Sequence, residues 1–205
     1  MELSEYWENN WKNRYTEDGL IPSLFVQKIF NFLEFEDVKT VLDLGSGKGR
    51  DSLFLAANGY KVTSLDISPC ALEHIKRINP KIDTVCCDIS KYNFPKKKFD
   101  MVFANLSLHY WDDKTLKKIV KSVFNSLTDD GLFCMTCKSV NDRGYGRGVK
   151  VGKDMFQNGH AIRFFDIDFT RKLLKRFKVI TIAETTVNEP HYGSYTMIEA
   201  IARQF

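Results

Sequence analysis

The chain has 205 residues, 43% of them hydrophobic and 16 of them Phe, with a formal net charge of +4. That is enough apolar material for one domain, residues 1–205, with a large core. No apolar run reaches the ~18 residues of a membrane helix, and the polar start MELSEYWENN is unlike a secretory leader, so a cytoplasmic protein without membrane contact is expected.

In chain order, residues 1–35 read as a helical lead-in. Trp7, Trp11 and Tyr15 are spaced by four and share one helical face, with Ser4 as a candidate cap. This face either packs against the domain or closes over a ligand cavity, where its rings would attract a cation. Gly19 to Pro22 reads as a turn, with Pro22 opening a second helix at its first position; Phe25, Ile29, Phe32 and Leu33 form that helix's apolar stripe.

The stretch Val41 to Ser68 organises the rest. An apolar run ends in Asp43, and Gly45, Gly47 and Gly49 follow at alternate positions. Arg50 to Ala57 reads as a helix with Leu53, Phe54 and Ala57 inward, ended by Asn58-Gly59. A second apolar run from Lys61 ends in Asp66. Strand, Gly-rich turn, helix and strand are the nucleotide-binding half of a doubly wound α/β sheet. The dinucleotide fingerprint is G-x-G-x-x-G, and here the third glycine comes one residue early, which argues against NAD.

Ser68-Pro69 opens the next helix, Ile82 to Cys86 is a third strand, and Phe99 to Asn105 is a fourth. Asp112 to Leu127 is an amphipathic helix, Thr128 to Gly131 a turn, and Leu132 to Cys137 a fifth strand. The five cysteines, an odd count, are expected to be free thiols. Cys134-x-x-Cys137 lies in an apolar run without a second Cys/His pair, so no metal site is expected. Lys138 to Asp166 is glycine-rich and reads as an irregular insertion loop on the acceptor side. GYGRG within it lacks the Lys-Ser/Thr pair of a phosphate loop. Residues 138–178 hold eleven Lys/Arg against four Asp, which favours an anionic ligand or a solvated face. His160 and Arg163 could point together at an anion, or pair with surface carboxylates. Asp168 to Arg176 reads as a helix, and Phe177 to Ala183 and Tyr195 to Ala202 as two strands joined through the turn Asn188 to Gly193.

The pattern D-x-G-x-G-x-G, with an acid 23 residues after Asp43, resembles motif I of the class I S-adenosylmethionine-dependent methyltransferases. The stretch GRDSLFLAANGYKVTSLDIS, the W-x-x-x-Y at Trp11 and Tyr15, and GHAIRFF resemble the tellurite-resistance, small-molecule branch. The resemblance implies a Rossmann-like seven-stranded sheet, mostly parallel with an antiparallel last strand. It implies S-adenosyl-L-methionine as cofactor, with the methionine end at Asp43, Gly45, Ser46, Gly47, Gly49 and Arg50. Asp66 and Ile67 would take the ribose, Asp88 and Ile89 the adenine, and Asn105 and Leu106 would border the cofactor, with Trp11 and Tyr15 above it. A small-molecule acceptor, a thiol or chalcogen oxyanion, would be methylated by in-line displacement. His109 is the first candidate for a proton acceptor and His160 the second, beside Arg163. The alternatives are methylation of RNA or protein, or a non-catalytic cofactor-binding module. The tetrapeptide Asn105-Leu-Ser-Leu lacks the N-P-P-Y type used on planar amino groups, so nucleic acid is not expected as a partner.

Overall fold

The computed structural model describes residues 2–13, 21–189 and 193–205. Helices α1 (Leu3–Asn13) and α2 (Leu24–Leu33) lead in. The cofactor half follows as β1 (Thr40–Leu44), α3 (Arg50–Ala57), β2 (Lys61–Asp66), α4 (Pro69–Ile78) and β3 (Asp83–Cys86). Then come β4 (Phe99–Asn105), α5 (Asp113–Ser126) and β5 (Leu127–Lys138). A small sheet of β6 (Val149–Gly152), β7 (Met155–Asn158) and β8 (His160–Arg163) precedes α6 (Ile167–Leu173), β9 (Lys178–Glu189) and β10 (Gly193–Arg203).

The main sheet has seven strands in the order β3-β2-β1-β4-β5-β10-β9. All run parallel except β10, which lies antiparallel between β5 and β9. The order reverses between β1 and β4, and in such sheets the crevice at that reversal takes the ligand. Alternation along the strands feeds one core on each face. Val41, Phe103 and Cys134 meet α2, α3 and α4 on one side. Leu42, Phe133 and Cys137 meet α5 and α6 on the other. Cys134 and Cys137 are thus buried, free and on opposite faces, which explains why their spacing makes no chelating pair. Among the described residues, no helix is long and apolar enough to cross a membrane.

Several local expectations are corrected. Ser23, not Pro22, is the boundary of α2: its side chain caps Val26 N–H, which leaves Pro22 outside the helix. In α3 the inward residues are Asp51, Ser52 and Leu55; Leu53 and Phe54 are half-buried and Ala57 is exposed. α6 starts one residue after its cap, Asp166, and ends at Leu173. The turn read at Thr128–Gly131 lies within β5, where the register against β4 slips. The region 138–166 is not irregular throughout: β6, β7 and β8 form an antiparallel meander in its second half. Half of the turn Gly19–Pro22 and part of Asn188–Gly193 lie outside the described residues.

Leu55 has no exposed surface and sits in the core behind the glycine loop. Leu55→Ala should lower unfolding free energy by about 2–5 kcal/mol in urea titration, whereas Ala57→Ser should stay within about 0.5 kcal/mol of wild type.

Candidate active site

The glycine loop is shaped by backbone geometry. Gly45, Gly47 and Gly49 all have positive φ, at +72°, +54° and +85°. A Cβ on Gly45 would lie 2.4 Å from the Ser107 Cβ, and one on Gly47 would lie 2.6 Å from the Trp11 ring. Only bare backbone therefore allows the β4–α5 turn and α1 to close on this loop. Gly49 begins α3 without a side-chain cap, so its first N–H groups are left for other acceptors.

Asp66 holds the loop from below. One carboxylate oxygen accepts the Gly47 N–H at 2.8 Å and the other accepts the Ser68 N–H at 2.9 Å. Burial raises its pKa, and these two donors oppose the shift. Asp43 at the end of β1 is wholly enclosed; it accepts the Ser52 hydroxyl at 2.6 Å, and Ser64 in turn donates to Ser52. Burial, with the neighbouring Asp51 charge, pushes Asp43 up to about 8. Asp51 joins three elements: it accepts the Ser23 N–H and hydroxyl and the Asn105 side-chain amide, at 2.8, 3.0 and 3.0 Å. None of this wiring is visible in sequence, because the partners are 28 and 54 residues away.

Above the loop opens a cavity of about 350 Å³. Asp43, Gly45, Ser46, Gly47, Gly49 and Arg50 line it from β1 and the loop, and Asp66 and Ile67 from the end of β2. Asp88 and Ile89 follow β3; the Asp88 carboxylate also caps a short 3-10 turn by accepting Ser90 N–H. Asn105 and Leu106 close the β4 side, Leu106 in a left-handed conformation (φ +52°) held by its N–H to Thr136. Trp7 and Trp11, stacked with ring centroids 5.6 Å apart, roof it from α1. The helix is fixed there by Glu8, whose carboxylate accepts the Ser68 hydroxyl and Cys70 N–H. Tyr15 lies outside the described residues. The Ser46 hydroxyl is buried in this wall without a hydrogen-bond partner among the described residues. A polar cradle with an orphaned hydroxyl, a carboxylate at the second strand end and an aromatic roof suits a cofactor with polar and cationic groups.

The three predicted acceptor-side residues are not brought together. His109, in the turn after β4, lines the cavity and is 1% exposed, and its Nδ1 has no partner among the described residues. Burial, then the Lys138 charge and His160, hold its pKa well below the ordinary imidazole value. His160 is half-buried behind this wall, against the rings of Tyr6, Trp7 and Tyr110. Arg163 is turned away. Its guanidinium is 2.9 Å from Asp113, stacks 4.0 Å above the Phe169 ring and donates to Phe164 O. On strand β8, residues three apart face opposite sides, so His160 and Arg163 cannot aim at one ligand. Arg163 reaches the site only through its backbone N–H, which donates to the His109 carbonyl at 2.8 Å. Ser107, Lys138, Arg143 and Tyr195 also line the cavity and were not singled out from sequence; the basic excess of residues 138–178 is the signal that pointed to two of them.

Residues 41–131 match the family described as a methyltransferase domain. That match covers less than half of the chain, and the seven-stranded sheet has the Rossmann-like fold of solved S-adenosylmethionine-dependent methyltransferases. It is 28% identical over 131 residues to a malonyl-[acyl-carrier protein] O-methyltransferase of Enterobacter lignolyticus, covering 64% of this chain and 48% of that protein. The chain spans about half the length of the curated relatives it matches first. Among solved structures, 1,6-didemethyltoxoflavin-N1-methyltransferase of Burkholderia thailandensis, with bound S-adenosylhomocysteine, superposes with a TM-score of 0.71 at 19% identity, over 98% of this chain and 84% of that one. TehB of Haemophilus influenzae does so with a TM-score of 0.69 at 16% identity, over 98% and 67%.

Asp43 gives a pH test. A carboxyl whose pKa is higher folded than unfolded stabilises fully below its unfolded pKa, and that contribution is lost as pH rises through the folded value. Stability should therefore decline between about pH 4 and pH 8 from this group, and Asp43→Asn should flatten the decline in urea titrations at pH 5.5 and 8.

Proposed function

We propose that the chain transfers the methyl group of S-adenosylmethionine to a small-molecule nucleophile, a thiol, a chalcogen oxyanion or a similar anionic acceptor. One juxtaposition carries the reading. The Gly45–Gly49 cradle with its orphaned Ser46 hydroxyl and the buried His109, whose Nδ1 has no hydrogen-bond partner among the described residues, face the same cavity. A cavity of this size suits a cofactor and a small acceptor better than a macromolecular segment. Among the matched relatives, the phosphoethanolamine N-methyltransferases are named for a small acceptor, while the rRNA adenine N-6-methyltransferases are named for a nucleic acid, so the reading rests on the cavity.

When bound, the cofactor supplies a methyl group activated by its sulfonium. Ser46, Gly47 and Gly49 would hold its methionine end, Asp66 its ribose hydroxyls through the lone pairs left on a carboxylate that already accepts two N–H groups, and Asp88 and Ile89 its adenine. Trp7 and Trp11 exclude water from above, and in a dry site the approach of a nucleophile is governed by placement. His109 is neutral at physiological pH because burial and Lys138 disfavour its charged form. A neutral imidazole can accept the proton of an O–H or N–H acceptor as the new bond to carbon forms. A thiolate or chalcogenolate has no proton to give up and needs only positioning. His160 is the second candidate for the proton, by way of Tyr110 against which it packs.

Calorimetry should find micromolar binding of S-adenosylhomocysteine and none of NAD. Asp66→Ala should weaken it at least about tenfold, and wild-type affinity in that variant overturns the cofactor assignment. His109→Phe should cut kcat about 10²–10⁴-fold with an O–H or N–H acceptor but little with a thiol at a pH above its own pKa. The wild-type rate should not fall as pH drops through 6.5, since the imidazole titrates lower.

A further inference from the structure

The two sides of the cavity carry different ionisable groups. Its β1–β3 side presents Asp43, Asp51, Asp66 and Asp88, with Lys48 and Arg50 of the glycine loop among them. The opposite side, formed by the end of β5 and the loop after it, presents Lys138 and Arg143, and among the described residues no carboxylate lines it. Lys138 ends β5, with its ammonium 6.0 Å from the Tyr195 ring centroid, and Tyr195 lines the same wall. Asp142 stands 3.4 Å from that ammonium, yet its carboxylate is committed to backbone: one oxygen accepts Gly144 N–H at 2.8 Å, the other Thr196 N–H at 2.9 Å. Asp142 thereby pins the loop to β10, and residue 143 follows at once. Arg143 has no hydrogen-bond or ion-pair partner among the described residues. Its guanidinium lies beside Gly193, 3.5 Å from where a Cβ there would be, an ordinary contact distance. His109 completes this half, buried, with a vacant Nδ1.

We infer that Lys138 and Arg143 form an oxyanion-recognition subsite, which selects acceptors carrying a carboxylate or phosphate group and turns their nucleophilic end toward His109. The inference rests on the methyltransferase reading and names the acceptor class within it. A guanidinium fork and an ammonium on one wall match the geometry of a carboxylate or phosphate, and charge-assisted hydrogen bonds there are stronger than neutral ones. A neutral or cationic acceptor would leave Arg143 without a partner as the cavity fills, which selects against it. The β1–β3 side, by contrast, mixes carboxylates with Lys48 and Arg50 and offers acceptors for the ammonium of the cofactor. The purely basic wall thus orders the acceptor relative to the cofactor as well as binding it.

The test uses full-length protein saturated with S-adenosylhomocysteine, followed by the fluorescence of Trp7, Trp11 and Trp111, which line the cavity. It is titrated with inorganic phosphate, with malonate, and with neutral malonamide at constant ionic strength. Saturable, mutually competitive binding of one or both oxyanions and none of malonamide is expected; the relative affinities decide between phosphate and carboxylate acceptors. Arg143→Met is exposed and makes no contact that folding needs, so it is the decisive variant; it and Lys138→Met should each weaken oxyanion binding at least about fivefold while S-adenosylhomocysteine binding stays within about twofold. Absence of saturable oxyanion binding, equal binding in both variants, or salt-sensitive binding of a short RNA with none of phosphate overturns the subsite. Failure of S-adenosylhomocysteine to bind the wild type instead overturns the methyltransferase reading. The oxyanion titrations repeated without it keep the subsite testable in that event.

Discussion

The site depends on the Asp66 carboxylate. Placed at the end of β2 and buried, it binds the Gly47 N–H of the glycine loop with one oxygen and the Ser68 N–H at the head of α4 with the other. Those bonds fix two separate chain segments against one charged group, in a place where burial alone would push its proton back on. The loop so held gives Trp11 a flat seat, since a side chain at Gly47 would meet its ring. Glu8 then ties the same helix to Ser68, the residue Asp66 already positions. Cradle, roof and α4 are therefore one unit, and a change in any of them reaches the others through a few short hydrogen bonds.

How much of this was legible in sequence follows from how local each cause is. The β1–α3–β2 unit was readable because glycine spacing, strand alternation and the terminal acids lie within about 25 residues and each has its own physical reason. Both boundaries of α3 and of β4 agree with the sequence reading for that reason. The inward face of α3 did not, because a short helix start is turned by what it bonds. Asp51 and Ser52 reach inward to Ser23, Asn105 and Asp43, and Leu55 follows them. Such partners are far apart in the chain and leave no pattern to read.

The stretch 138–166 failed differently. Strands of four residues with glycines between them carry too few positions for alternation to stand out. Once β8 is seen as a strand, the pairing of His160 with Arg163 dissolves. Arg163 becomes a buried structural cation between Asp113 and the Phe169 ring, and it serves the site only by holding the His109 carbonyl. The small sheet thus acts as a buttress for the β4–α5 turn. The basic character of this region was legible as composition. Its division into a buried prop and a cavity wall was not.

That division has a chemical consequence. Arg163 spends its charge on carboxylates that belong to the fold, whereas Lys138 shares Asp142, its paired carboxylate among the described residues, with two backbone N–H groups. A carboxylate that accepts three donors neutralises each of them less, so a positive field persists at the acceptor wall. Burial first, and this field second, hold the pKa of His109 and His160 below the ordinary imidazole value. A protonated imidazole beside the sulfonium would repel it and could accept no proton. Burial and Lys138 together favour a neutral imidazole, and the same ammonium at the end of β5 would favour an anionic acceptor, so the two proposed properties share one wall.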